Sequence, residues 1–204
     1  MKPIALILLI PALVRVSAAE PQPGTSAKTN RFDFAVLQSS DDGLVLNRIV
    51  ITDKGKYGFS TPGAWRTGSD PEERSVFFRG IDGQHNLTLT MIFKDNLGPQ
   101  RPPAAVQVLK EFQATFPDAR LLEMDALSGF GQTCPVFNFV LDSSNRPYTL
   151  RVVRANVPTG IVEVQLLGRE DEIQFGYDAL KRFLLSCCFV PPEGELRMRI
   201  LKPE

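Results

Sequence analysis

The 204-residue chain has one histidine (His85), one tryptophan (Trp65) and three cysteines (Cys134, Cys187 and Cys188). Each scarcity removes a class of chemistry. A His-rich metal site is out, and a Ser-His-Asp triad would have to use His85, which sits in the turn sequence Gly80–Asn86. No G-x-S-x-G segment supplies the nucleophile elbow that such a triad uses on α/β-hydrolase folds. A Cys/His zinc site would need all three cysteines plus His85. Cys187 and Cys188 are adjacent, which does not match the usual C-x₂₋₄-C ligand spacing. Absence of C-x-x-C argues against a thioredoxin-type redox site. Charge of one sign is not in excess either, with 23 Lys+Arg against 23 Asp+Glu. A nucleic-acid binder usually carries a clear basic surplus. The 43% apolar content is too high for a disordered chain. The residues therefore nominate no catalytic, cofactor-binding or metal site.

Long apolar runs are also missing. The longest, Ile4–Val14, is broken by Pro11 and falls short of the roughly 20 apolar residues a spanning helix needs. It follows Lys2 and precedes the small residues Ser17, Ala18 and Ala19. That order reads as a secretory signal peptide over residues 1–19, cleaved after Ala18 or Ala19. The other reading is an uncleaved N-terminal anchor. Removing residues 1–19 takes away Lys2 and Arg15 and no acid, leaving a formal charge of −2. Residues 20–30 (EPQPGTSAKTN) read as a flexible polar leader. Cleavage leaves no transmembrane span, and the chain is expected outside the cytoplasm, periplasmic or secreted.

Export puts the cysteines where disulfides can form. Vicinal cysteines rarely bond each other, because the ring strains the peptide between them. A bridge would therefore join Cys134 to Cys187 or to Cys188. The alternative is three free, partly buried thiols, a common fate of small apolar residues.

The rest of the chain reads as one domain over residues 31–195, with 196–204 as a C-terminal tail or edge strand. Leu87–Phe93 alternates, with Leu87, Leu89, Met91 and Phe93 on one face and Thr88 and Thr90 on the other, a half-buried antiparallel strand. Leu44–Thr52, Tyr57–Thr61, Ser75–Arg79, Arg120–Leu127, Thr133–Leu141, Tyr148–Asn156 and Ile161–Leu167 also read as strands. Ala105, Leu109, Phe112 and Phe116 share one helical face that ends at Pro117. Ile173, Tyr177, Leu180, Leu184 and Cys187 form a second stripe, with Cys187 as the packed cysteine. The tail alternates Leu196, Met198 and Ile200 with Arg197 and Arg199, which suits either an edge strand guarded by cations or a loose end. Adjacent strands joined by short turns, with few helices, define an α+β domain: an antiparallel sheet with helices packed on it.

Clustered acids are few. Glu170-Asp171-Glu172 opens the second helix, where carboxylates favour the positive end of the macrodipole. Arg151 and Arg154 are three apart and point to opposite faces of a strand, so they make no continuous basic patch.

The segment Lys56–Arg66 (KYGFSTPGAWR) places Phe59, Pro62 and Trp65 in an F-x-x-P-x-x-W pattern. This resembles the opening of PsbP-like domains, of the Mog/PsbP type, and the element order over residues 44–190 is similar as well. The resemblance implies an αβα sandwich that binds partners and has no shared active site. Phe59, Pro62 and Trp65 would be the motif or ligand-facing residues. The expected function is thus an exported, non-enzymatic domain that binds a protein partner, no nucleic acid, and no cofactor. Two alternatives stay open: a small-ligand or lipid carrier with an apolar pocket between the sheet and the first helix, and a hydrolase using scattered carboxylates.

Overall fold

A computed structural model describes residues 31–39, 45–61, 65–80, 87–94, 104–141 and 147–191. The fold is α+β, and all of its strand pairs are antiparallel. In chain order come β1 (Phe32–Ser39), β2 (Val45–Thr52), β3 (Lys56–Ser60), β4 (Arg66–Asp70), β5 (Ser75–Arg79) and β6 (Thr88–Lys94). Helix α1 (Ala105–Thr115) precedes β7 (Arg120–Gly129), β8 (Gln132–Leu141), β9 (Tyr148–Val157) and β10 (Gly160–Arg169). Helix α2 (Ile173–Ser186) and the short β11 (Cys188–Val190) close the order.

The strands divide between two sheets. One has seven strands in the order β4-β5-β6-β10-β9-β8-β7, the other four in the order β1-β2-β3-β11. Alternation along each strand shows a half-buried strand but not which sheet it joins, so the sequence reading had a single sheet. Strands β1, β4 and β11 were not anticipated. β4 (RTGSD) has no apolar alternation to betray it, and β11 spans three residues.

Two-residue turns set the long hairpins. Between β7 and β8, Phe130 and Gly131 both have positive φ, 52° and 73°. This is the type I′ pattern that matches strand twist. The turn is thus Phe130-Gly131, and the strands run further toward it than the Arg120–Leu127 and Thr133–Leu141 read from sequence. Pro158-Thr159 joins β9 to β10, pairing Val157 with Gly160.

The seven-stranded sheet buries a different core on each face. Toward α2 and the smaller sheet lie Phe59, Phe78, Met91, Phe93, Val153, Val162, Leu180 and Phe183. The rings of Phe59, Phe78 and Phe183 meet pairwise at 5.2–5.8 Å, in edge-on or tilted geometry that suits the aromatic quadrupole. Toward α1 lie Val108, Phe112, Phe137, Phe139, Leu150 and Val152. The helices follow their apolar stripes. In α1, Val108 and Phe112 are buried, with Ala105 and Leu109 beside them. Phe116 is the C-cap, non-helical at φ −125° and ψ 85° and 42% exposed, since a following proline disfavours the helical region. In α2, Ile173, Gly176, Leu180, Phe183 and Leu184 are buried. A Cβ on Gly176 would stand 3.1 Å from Leu166 and 3.2 Å from Leu87, so glycine lets this helix lie close on the sheet. The helix stops at Ser186, leaving Cys187 as its cap. Glu170 and Asp171 precede the helix, and Glu172 at its N-cap makes no side-chain capping bond.

Candidate partner-binding edge

Phe59 is fully buried among Phe78 and Phe183. Trp65 is partly buried against the same cluster, and Pro62 lies outside the described residues. Phe59 and Trp65 therefore converge on the core between the two sheets. The turn around His85, the Asn96–Pro103 loop and the tail beyond Pro191 also lie outside the described residues.

All three cysteines are free thiols. Cys134 and Cys187 share the inter-sheet core. Cys134 donates to Gly129 O at 3.5 Å, Cys187 to Phe183 O at 3.2 Å, and Cys188 to Gly58 O at 3.6 Å. Burial pushes Cys134 up to about 11 and also raises Cys187 and Cys188. Raised thiols are poor nucleophiles and poor ligands, because the thiolate is the reactive form.

A buried ion network sits on the α1 face. Arg154 of β9 and Glu163 of β10 are 4% and 2% exposed and pair at 2.7 Å. Glu111 of α1 meets the same guanidinium at 2.6 Å, and Lys94 of β6 reaches Glu163 at 3.1 Å. Gln165 donates to the other Glu163 oxygen at 2.6 Å. Burial alone pushes the Glu163 carboxyl up. The charges of Arg154 and Lys94, with the Gln165 and Lys94 hydrogen bonds, outweigh it and hold the carboxyl below its ordinary value. The network ties α1 to the sheet through charge as well as through Phe112, whose ring lies 5.0 Å from that of Phe139. Arg154 and Glu163 are nine apart in sequence, so no local motif shows them. The Pro158-Thr159 turn does: pairing Val157 with Gly160 puts Arg154 opposite Glu163.

Arg151 points to the other face, as its spacing from Arg154 requires. Its guanidinium stands 4.1 Å over the Tyr177 ring of α2, with Lys181 Nζ at 4.2 Å. The Tyr177 hydroxyl donates to Asp125 of β7 at 3.1 Å. The Ala126 amide, then this hydroxyl, hold the Asp125 carboxyl below its ordinary range. Helix α2 is thereby fixed along β7, where Gly129 also admits Leu184 at close range.

Strand β7 is one of the two edge strands of the seven, paired among the described residues only with β8. Its ten residues are exposed through most of their length. The pairing slips between Leu121 and Glu123, a bulge that leaves Leu122 61% exposed. Met124 is 53% exposed. Among the described residues nothing pairs with the outer side, so alternate N–H and C=O groups of a long strand face outward beside two apolar side chains. Such an edge is a template for another strand. An open cleft elsewhere, at Pro147, Arg169, Glu170 and Asp171, is lined mainly by charged groups. Among the described residues no cluster of His, Cys, Asp and Glu could hold a metal. No described helix is long and apolar enough to cross a membrane.

No family model matches the chain, and no curated protein does. Solved structures of similar chain course exist at low identity. A protein of unknown function from Pseudomonas aeruginosa is 15% identical with a TM-score of 0.41, over 61% of this chain and 85% of that one. LpqN of Mycobacterium tuberculosis, involved in cell envelope biogenesis, is 12% identical with a TM-score of 0.36, over 79% and 93%. Cyanobacterial PsbP from Synechocystis is 15% identical with a TM-score of 0.40, over 76% and 91%.

Proposed function

We propose that this chain is an exported, non-enzymatic domain that binds a protein partner by accepting a strand on the outer edge of β7. One observation carries the reading: a ten-residue edge strand with exposed Leu122 and Met124 and an unpaired outer side among the described residues. Strand addition draws affinity from main-chain hydrogen bonds and specificity from alternate side chains. Export rests on the signal-like residues 1–19, which leave a domain for an extracytoplasmic compartment. The space between the sheet and α1, where a carrier would hold its ligand, is filled by Val108 and Phe112 against Phe139.

The test uses residues 20–204 as bait on extracytoplasmic and membrane extracts, beside the double variant Leu122→Lys, Met124→Lys. Lysine on an edge strand blocks strand pairing, and both sites are exposed, so the fold is retained. A partner captured by the parent and lost with the variant supports the reading. Capture that is equal for both baits removes β7 as the docking site.

A further inference from the structure

The Phe130-Gly131 turn fixes which groups of β7 face outward. In a two-residue hairpin the flanking residues, here Gly129 and Gln132, exchange both of their backbone hydrogen bonds, and the pairs alternate from there. Leu127, Asp125 and Glu123 therefore bond inward to β8, while Ser128, Ala126 and Met124 turn their N–H and C=O groups outward. One contact agrees: the Ala126 N–H donates to the side chain of Asp125 at 2.7 Å. A strand added to β7 would bond to Met124 and Ala126. Its residues opposite Glu123 and Asp125 would then stand in non-hydrogen-bonded pairs, where Cα atoms approach to about 4.5 Å and side chains are closest. Glu123 and Asp125 share the face toward α2, so two carboxylates meet whatever the partner places there.

Both carboxylates have capacity left. Glu123 accepts from Asn138 at 3.3 Å, and Asp125 accepts from Tyr177 and Ala126. A carboxylate has about four acceptor positions, and neither acid forms a salt bridge among the described residues. The nearby cations are engaged over the Tyr177 ring, Arg151 from the sheet and Lys181 from α2, with Lys181 also 3.7 Å from Asp178. Behind Glu123, Asn138 is 5% exposed, and its Oδ1 has no hydrogen-bond partner among the described residues. Buried polar atoms are normally paired, so this one points to a donor from outside. A guanidinium opposite Glu123 can pair with that carboxylate and offer a further N–H to Asn138, whose strand lies about 9.6 Å from the added one. A second copy of β7 does not complement this edge. An antiparallel pair centred on Met124 sets Glu123 against Asp125 of the other copy, and one centred on Asp125 sets two aspartates together. Like charges directly opposite are destabilising.

We infer that the partner strand is basic: it carries an arginine opposite Glu123 and a second cation opposite Asp125, with an apolar residue between them opposite Met124. This rests on β7 being the docking edge and names the chemistry of what docks. Asp125 holds the Ala126 N–H until a carbonyl of the incoming strand takes it, and the freed carboxylate oxygen then accepts from the partner's cation. A strand without that cation leaves the exchange uncompensated.

Fluorescent peptides STVRVRVTS, STVKVKVTS, STVQVQVTS and STVEVEVTS are titrated with residues 20–204 at low salt. The arginine peptide should bind at least about tenfold tighter than the glutamine one, with the glutamate one weakest, and added salt should narrow the gap. Glu123→Lys with Asp125→Asn should reverse that order. Asn138→Ala should bring the arginine and lysine peptides level. Equal binding of the arginine, glutamine and glutamate peptides, or an order that the charge variant leaves unchanged, overturns the inference. A parent that binds the arginine and lysine peptides equally overturns the arginine opposite Glu123. Self-association by mass that Leu122→Lys with Met124→Lys abolishes also overturns it, because the occupant is then a second copy. That β7 variant separates the two claims. If only the charge claim fails, the peptides bind equally and the variant abolishes binding of them all. If the docking reading fails, the variant binds every peptide as the parent does, and the inference falls with it. No binding of any peptide at millimolar concentration overturns both.

Discussion

The seven-stranded sheet ends in two unlike edges. Strand β4 has five residues with charged ends, Arg66 and Asp70. Its centre is Gly68, closed by the Phe77 ring, which would lie 2.4 Å from any added Cβ. Phe77 in turn carries the Arg79 guanidinium 5.5 Å from its centroid. Strand β7 has twice the length, a bulge, and exposed Leu122 and Met124. Natural sheets blunt their edges by shortness and charge, and β4 follows that practice. β7 keeps one such device, the bulge beside Leu122, but runs long and paired in register past it with Met124 exposed, while the face behind it is well packed, with α2 held by Tyr177, Gly129 and Leu184. A rigid strand whose outer side is unpaired among the described residues is what strand addition requires.

If β7 serves docking and the layers behind it serve stability, substitutions should sort by depth. The largest loss is expected at Phe183→Ala, which removes a ring packed on Phe59 and Phe78. Such truncations cost about 3–5 kcal/mol, read as a fall in the urea midpoint. Arg154→Met should cost a similar amount, about 3–5 kcal/mol, because it leaves Glu163 buried without its closest cation. Coupling it with Glu163→Leu should recover most of that loss, since paired removal of a buried ion pair is often neutral.

The pH dependence follows from the same network. The Glu163 carboxyl is depressed in the fold relative to the ordinary 4.5. Its contribution is therefore present above the unfolded value and lost as pH falls through the folded one. Thermal stability of the parent should drop on acidification below about 4.5, and Glu163→Gln should flatten that part of the profile. A parallel profile for the variant would mean that other carboxylates govern acid unfolding. The thiols give a smaller, kinetic contrast. Cys134 and Cys187 are buried with raised values, so a thiol reagent should react with them slowly in the native protein. It should count three thiols after denaturation without reductant; a count of one would reveal a bridge. Least affected in stability should be Leu122→Lys with Met124→Lys. Exposed sites usually stay within about 0.5 kcal/mol each.

Much of this architecture is visible in the sequence, because period is a local property. Leu87, Leu89, Met91 and Phe93 announce β6 and its buried face, and Val108 and Phe112 fall within the helix read from Ala105 to Phe116. What period cannot reveal is the partner of a strand. The division into two sheets and the position of β7 at an edge are decided by long-range pairing. β1, β4 and β11 escaped for lack of a clear alternating run. The Arg154–Glu163 pair was readable only through the register fixed by Pro158-Thr159. Phe59 and Trp65 stood out as aromatic motif residues, but their common destination is the core, so prominence in sequence marked packing. The exposed side chains of β7 looked like ordinary strand residues, since exposure on an edge leaves no signature in the chain alone.

The most direct test of the central claim is quantitative binding of a captured partner to residues 20–204 with each edge altered in turn. The account predicts that Leu122→Lys with Met124→Lys weakens binding at least about a hundredfold, roughly 2.7 kcal/mol. Ser69→Lys on β4 should leave it unchanged. Equal binding by the β7 variant and the parent, or loss with the β4 variant alone, would contradict it.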